Sequence, residues 1–223
     1  MIKLRNISKT FSKDGNRIEV LKGLDLDIVR GDSLAVWGVS GAGKSTLLHI
    51  LGALDRPTSG TILYDGIDVF VWQEKKLALF RNRKIGFVFQ FHNLLPEFNS
   101  LENTMMPALI NGLSKQEARK KAEVILKELG LGDRITHRPG ELSGGEQQRV
   151  AIARALIMEP EILLADEPVG NLDTETGKKV EDLLLELNIT RHIILVVVTH
   201  NKSLADRMSR SIGLRDGRIV TSE

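Results

Sequence analysis

At 223 residues, 42% hydrophobic and 27% charged, the chain has the length and composition of one sizeable globular domain or two small ones, with enough apolar residues to bury a core. Its 31 Lys and Arg against 29 Asp and Glu leave a net charge of +2, which gives no support to a nucleic-acid partner, and a cysteine count of zero excludes disulfides and Cys-ligated metals. The start, MIKLRNISKTF, lacks the apolar region of an export signal, and apolar runs such as Ile193 to Val198 fall far short of the ~20 residues that cross a bilayer. No direct membrane insertion is expected, so any membrane association comes through a partner.

In chain order, period-two patterns at Ile2 and Leu4 and again at Leu24, Leu26 and Ile28 predict half-buried strands, with a turn at Lys13-Asp14-Gly15-Asn16 and an antiparallel start. The run Leu34 to Trp37 reads as a buried parallel strand. GVSGAGKST follows at 38–46 and leads into helix-like Leu47-Leu48-His49-Ile50-Leu51, the context a phosphate-binding loop requires. Gly41 and Gly43 let backbone N–H groups approach phosphate oxygens, the helix N-terminus adds partial positive charge, Lys44 reaches the outer phosphates and Ser45 can ligate Mg²⁺. Gly38, Ser40, Ala42 and Thr46 complete the candidate nucleotide cradle. A Gly-rich helix cap with a lone exposed lysine would need only part of this spacing.

Ile85 to Phe89 reads as another strand, and Gln90 at its end could reach a metal or the attacking water. A helix is expected over Ser114 to Leu129, with Ser114 as cap, Glu117 three residues on and Gly130 as stop. A second is expected from about Gly144 to Met158, with Val150, Ile152, Ala153, Leu156 and Ile157 available for burial and Pro160 just beyond, so roughly residues 91 to 157 form an inserted helical subdomain. ILLADEP then places Asp166 and Glu167 at the end of the apolar run Ile162 to Ala165. Adjacent carboxylates there need a cation or a proton to handle: Asp166 is the candidate for the Mg²⁺ shell and Glu167 for polarising the attacking water. The run Ile193 to Val198 ends, after Thr199, in His200, directed at the γ-phosphate from the same strand edge; His49, His92, His137 and His192 have no comparable placement. Asp216-Gly217 predicts a hairpin in the tail. The fold class is α/β: a P-loop NTPase (RecA-like) core with a central, mostly parallel sheet, preceded by an antiparallel β-subdomain.

One stretch does not fit a single-site reading. Ser143-Gly144-Gly145 at a helix start is a second anion cradle, even though Ser143 with Glu146 also spells an ordinary capping box. A helical subdomain carrying it cannot easily fold back onto its own phosphate loop. The economical assignment is to another subunit's nucleotide, which implies a head-to-tail dimer.

LSGGEQ at 142 to 147, together with the phosphate loop, Gln90, ILLADE and His200, resembles the ATP-binding-cassette ATPase family over essentially the whole chain, taken as a single domain, 1–223. The resemblance implies an ATPase in which two cassettes sandwich two ATP molecules, each Ser143-to-Glu146 signature acting on the opposite subunit's γ-phosphate. It also implies that Phe11 stacks on adenine, Gln90 is the Q-loop glutamine and a metal contact, Asn171-Leu172-Asp173 joins the two sites, His200 is the switch histidine and Glu167 the catalytic base. ATP and Mg²⁺ are the expected ligands. RNRKIGFVFQFHNLLPEFNSLENTMMP and ADEPVGNLD are similar to a narrower branch that holds lipoprotein-releasing, macrolide-exporting and cell-division cassettes. Val169, Asn201 and Phe11 depart from that branch, where Thr, Asp and Tyr are usual. Lipoprotein release from the bacterial inner membrane is the favoured function, with macrolide-type export or a regulatory division ATPase as alternatives. Transmembrane permease subunits, met at the cytoplasmic face, and a second copy of the chain are the implied partners. Phe91, Leu94, Leu95 and Phe98 are candidates for the groove that receives a permease helix, or for the core of the helical subdomain.

Overall fold

Alternation decides the first element. In the computed structural model, which describes residues 1–13 and 16–220, strands β1 (Ile2–Lys13) and β2 (Asn16–Ile28) pair antiparallel with Ile2 opposite Ile28 and Leu4 opposite Leu26. All four side chains are buried, as the period of two requires. Asp14 and Gly15 of the expected turn lie outside the described residues. Strand β3 (Ser33–Trp37) leads into helix α1 (Lys44–Leu51), whose Leu47, Leu48, Ile50 and Leu51 are buried. Strands β4 (Ser59–Tyr64) and β5 (Ile67–Asp68) add to the first sheet, in the order β2-β1-β4-β5. Helix α2 (Glu74–Lys84) follows and delivers strand β6 (Ile85–Phe89).

Three helices come next. Helix α3 (Ser100–Ile110) starts at a capping box of Asn99 with Glu102 and is tied down by buried Asn103, whose Nδ2 donates to the carbonyls of Leu95, Phe98 and Asn99. Helix α4 (Lys115–Glu128) starts at the Ser114–Glu117 box and ends before Gly130 at φ +70°. Helix α5 (Gly144–Leu156) starts at the Ser143–Glu146 box and stops two residues short of the expected Met158, with Glu159 in the left-handed region at φ 53°.

Strand β7 (Ile162–Asp166), helix α6 (Thr174–Arg191), strand β8 (Ile194–Val198), helix α7 (Lys202–Arg207) and the hairpin of β9 (Arg210–Arg215) and β10 (Arg218–Val220) complete the chain. The hairpin turns at Asp216 and Gly217, both at positive φ, as a two-residue turn requires. The second sheet runs β10-β9-β3-β8-β7-β6, parallel except for β10. Its faces separate by the strand period. Leu34, Val36, Ile162, Leu164, Ile194, Val196 and Val198 face a core shared with α1 and the antiparallel sheet. Ala35, Leu163, Ala165, Leu195 and Val197 face a core shared with α3, α4, α5 and α6. This is the expected α/β arrangement, a mostly parallel sheet beside an antiparallel one.

Candidate active site

Parallel register brings the chemistry to one edge. Val36 pairs with Val198, Val198 with Asp166 and Asp166 with Phe89, so the residues that follow these four strands emerge side by side at their carboxyl ends. They line a cleft of about 780 Å³ that takes in Gly38, Ser40, Gly41, Gly43, Lys44, Ser45 and Thr46 on one side and Gln90, Asp166, Glu167 and His200 on the other.

On the first side, Gly38, Gly41 and Gly43 have φ of +156°, +80° and +101°. A Cβ on Gly38 would fall 2.2 Å from the carbonyl oxygen of Leu214, and one on Gly43 would fall 2.8 Å from Leu21 Cδ2, so neither position accepts a side chain. The loop is thereby bent so that it delivers α1 with its N-terminus at the cleft. Lys44 Nζ arches over the loop and donates to the carbonyls of Gly38 at 2.8 Å and Val39 at 3.0 Å. Ser45 is exposed at the cleft, whereas the Ala42 methyl is buried in the core behind the loop and does not line it.

On the second side Glu167 sits at φ 46°, an uncommon conformation for a non-glycine residue, its N–H donating to Val198 O at 2.9 Å. This turns its carboxylate to His200: Nδ1 of the imidazole lies 2.8 Å from Oε2, and the His200 backbone N–H donates to the same oxygen at 3.4 Å. Gln90 and Asn171 exchange two hydrogen bonds, Gln90 Nε2 to Asn171 Oδ1 and Asn171 Nδ2 to Gln90 O, both 3.2 Å. The cleft thus holds an ammonium and a helix N-terminus opposite two carboxylates, a layout that suits a polyphosphate carrying a cation. Among the described residues no group of three or more His, Asp or Glu could hold a metal.

Other candidates stand elsewhere. Phe11, opposite Ile18 on the first hairpin, is 42% exposed with Lys9 Nζ 4.9 Å from its ring centroid, and it does not line the cleft. Ser143, Gly144, Gly145 and Glu146 are also outside it. Ser143 Oγ accepts from Glu146 N at 3.3 Å and Glu146 Oε2 accepts from Ser143 N at 2.8 Å; Ser143 and Gly144 are exposed while Gly145 is buried against Thr176 of α6. The hydrogen bond from Arg134 and those from Ser143 hold the Glu146 carboxyl at about 2. The four residues offered for a permease groove differ in burial and surroundings. Phe91, 71% exposed, lines the cleft, and Leu94 packs on the helical core. Phe98 is half-buried, and Leu95 lines an apolar groove of about 520 Å³ with Phe87, Met106, Pro107, Ile110 and Met158, which meets the cleft at Phe89 and Asn93. Sequence reading missed Val20, Phe89 and Asn93 in the cleft wall. Phe89 was legible as the strand end before Gln90; Val20 had no local signal, because only the packing of β2 over Gly43 brings it there.

A family profile described as ABC transporter matches residues 21–170. The lipoprotein-releasing system ATP-binding protein LolD of Syntrophus aciditrophicus (strain SB) is 73% identical over 221 residues, covering 99% of both chains. The protein of the same name from Geobacter metallireducens is 53% identical over 99% of this chain and 98% of its own. Among solved structures, a dimeric bacterial ABC transporter cassette superposes with a TM-score of 0.91 at 43% identity, over 100% of this chain and 98% of the other. A dimeric post-hydrolysis state of that cassette, bound to ADP and Pi, gives 0.91 at 42% over the same shares.

Proposed function

The chain belongs to the ABC transporter family of ATP-binding proteins, and from that premise we propose that it is the ATPase subunit of a complex that releases lipoproteins from the bacterial inner membrane. The observation that carries the ATPase reading is the convergence of a glycine-bent phosphate loop, Asp166 and the Glu167–His200 pair on one cleft. The lipoprotein reading is supported by full-length similarity to the lipoprotein-releasing proteins.

The residues fit Mg-ATP. Glycines with no room for a Cβ leave backbone N–H groups as the lining of the phosphate cradle. Lys44 leaves its loop carbonyls for the outer phosphates, and Ser45, Asp166 and Gln90 would hold Mg²⁺, which offsets phosphate charge when bound. Glu167 takes the proton of the attacking water, and His200, whose backbone N–H donates to Oε2 and whose imidazole lies against it, fixes the direction of that carboxylate. Phe11 supplies an aromatic face for adenine. The helices within 91–157 act as a subdomain presenting Ser143, Gly144, Gly145 and Glu146 to the nucleotide of a second copy. Glu167→Gln is expected to lower ATP turnover by about 10²–10⁴ while ATP binding persists, measured by phosphate release and by nucleotide titration. Near-parental turnover would remove Glu167 from the base role.

Coupling to a membrane needs other chains, because among the described residues no helix is long and apolar enough to cross one. The Leu95 groove suits a short amphipathic helix of a permease. The test is to purify the native complex in mild detergent through a tag on this chain. Two related multi-span proteins with bound lipoprotein are expected; a single division-type membrane partner would contradict the substrate reading.

A further inference from the structure

Helix α6 buries a carboxylate that the cleft chemistry does not use. Glu181, near the middle of the helix, is 5% exposed. Its Oε1 accepts from Asn201 Nδ2 at 2.9 Å and its Oε2 from Arg207 Nη1 at 3.2 Å, while the other terminal nitrogen of Arg207 reaches Asp182. Burial pushes the Glu181 carboxyl above its usual range, with the Arg207 charge opposing. A buried carboxylate without its donors would be costly, so these two bonds are what make it tolerable.

Asn201 is the residue after His200, and it works in three directions. Its backbone N–H donates to Thr199 Oγ1 at 2.9 Å, its Oδ1 caps α7 by accepting from Ser203 N at 3.0 Å and Leu204 N at 3.4 Å, and its Nδ2 goes to Glu181. Aspartate would cap α7 equally well. It would also set a second carboxylate against Glu181 with no donor between them, the arrangement that like charges resist most. Asparagine at 201 is therefore matched to glutamate at 181. The imidazole of His200, by contrast, is 73% exposed and held by Glu167, so its place depends on the backbone that carries it. Helix α6 is also capped by Asp173, directly after the loop whose Asn171 bonds Gln90, so the one helix connects to the segments that carry Gln90 and His200.

We propose that Glu181 is a positioning residue for ATP hydrolysis: through Asn201 it pins the segment carrying His200 to α6 and so sets the imidazole against Glu167. This rests on the reading of Glu167 and His200 as the working pair. The test is steady-state ATPase kinetics on the full chain. In Asn201→Asp, kcat is expected to fall about tenfold or more, within what a misplacement of about 1 Å costs, while KM for ATP stays within about twofold because the phosphate loop is untouched. Adding Glu181→Gln to that variant restores an amide–carboxylate pair with the roles exchanged, and kcat is expected to return to within about threefold of the parent. Asn201→Ser keeps the cap and loses only the donor to Glu181; it is expected to show the same loss in kcat and takes the place of N201D if that variant does not fold. A parental kcat in N201D or N201S, a double variant no faster than N201D, or a rise in KM that matches the fall in kcat would overturn the proposal. His200→Ala separates the two levels: parental turnover there sinks the pair itself, whereas a slow H200A beside an unaffected N201D removes only the role of Glu181.

Discussion

Glu146 carries two loads at one helix start. Its Oε2 completes the capping box with Ser143 N while its Oε1 accepts from Arg134 Nε at 2.8 Å, and these bonds hold its carboxyl at about 2 against an ordinary 4.5. A carboxyl depressed on folding adds stability that is fully present above the ordinary value and drains as pH falls from about 4.5 towards about 2. Glu146→Gln keeps the box and removes the charge, so its effect isolates the ionic part. Because Arg134 is half exposed, that part is on the order of 1 kcal/mol or less, a few degrees in Tm for a chain of this size. The Tm gap between parent and E146Q is expected to be fully open at pH 7, to shrink below about pH 4.5 and to close only near pH 2; a gap that does not change with pH would contradict the assignment. At this scale the sequence was most informative where chemistry follows an apolar run. Asp166, Glu167 and His200 each come within two residues of a buried strand, so strand register alone carries them to the cleft. Phe11 and Val20 lie on the hairpin, and their distance from the phosphate loop depends on how one sheet packs over another, which no local pattern encodes.

At the scale of elements, apolar runs and caps were legible and mixed faces were not. The apolar runs became β3, β7 and β8, and the boxes at Ser114 and Ser143 became the starts of α4 and α5. Helix α2 buries only Leu77, so it has no apolar stripe to find. Helix α6 buries Val180, Leu184 and Leu187 but also Glu181 and Asn188, whose Nδ2 donates to Gly31 O, Asp32 O and Ile193 O; polar residues on its inner face break the stripe. The contact between α5 and α6 is close because residue 145 is glycine. A Cβ there would lie 2.4 Å from Thr176 Cγ2, a short branched side chain with little freedom to retreat. Gly→Ala in an open helix gains about 1 kcal/mol. Here the clash wins, and Gly145→Ala is expected to lose on the order of 1–3 kcal/mol in chemical denaturation. Adding Thr176→Ala is expected to recover most of that loss, and a G145A chain as stable as the parent would show that the helices have room to part.

For the whole molecule, the arrangement of the two cradles decides the mechanism. The phosphate loop, Asp166, Glu167 and His200 share one cleft, while Ser143 and Gly144 stand exposed outside it with helix α5 running behind them into the core of the helical subdomain. On the proposed reading, a site split in this way on one chain would become complete when two copies meet head to tail, each lending its signature to the other's nucleotide. ATP would then act as the adhesive, since it would bind both chains at once, and hydrolysis would release them. The most direct measurement is the mass of the Glu167→Gln chain in sedimentation equilibrium, with and without saturating Mg-ATP. A mass of 24.8 kDa is expected without nucleotide and about twice that with it, the dimer being lost again when Gly144→Asp puts a carboxylate where the signature would meet the γ-phosphate. An ATP-saturated E167Q chain that stays at 24.8 kDa, or a dimer indifferent to G144D, would contradict the head-to-tail reading.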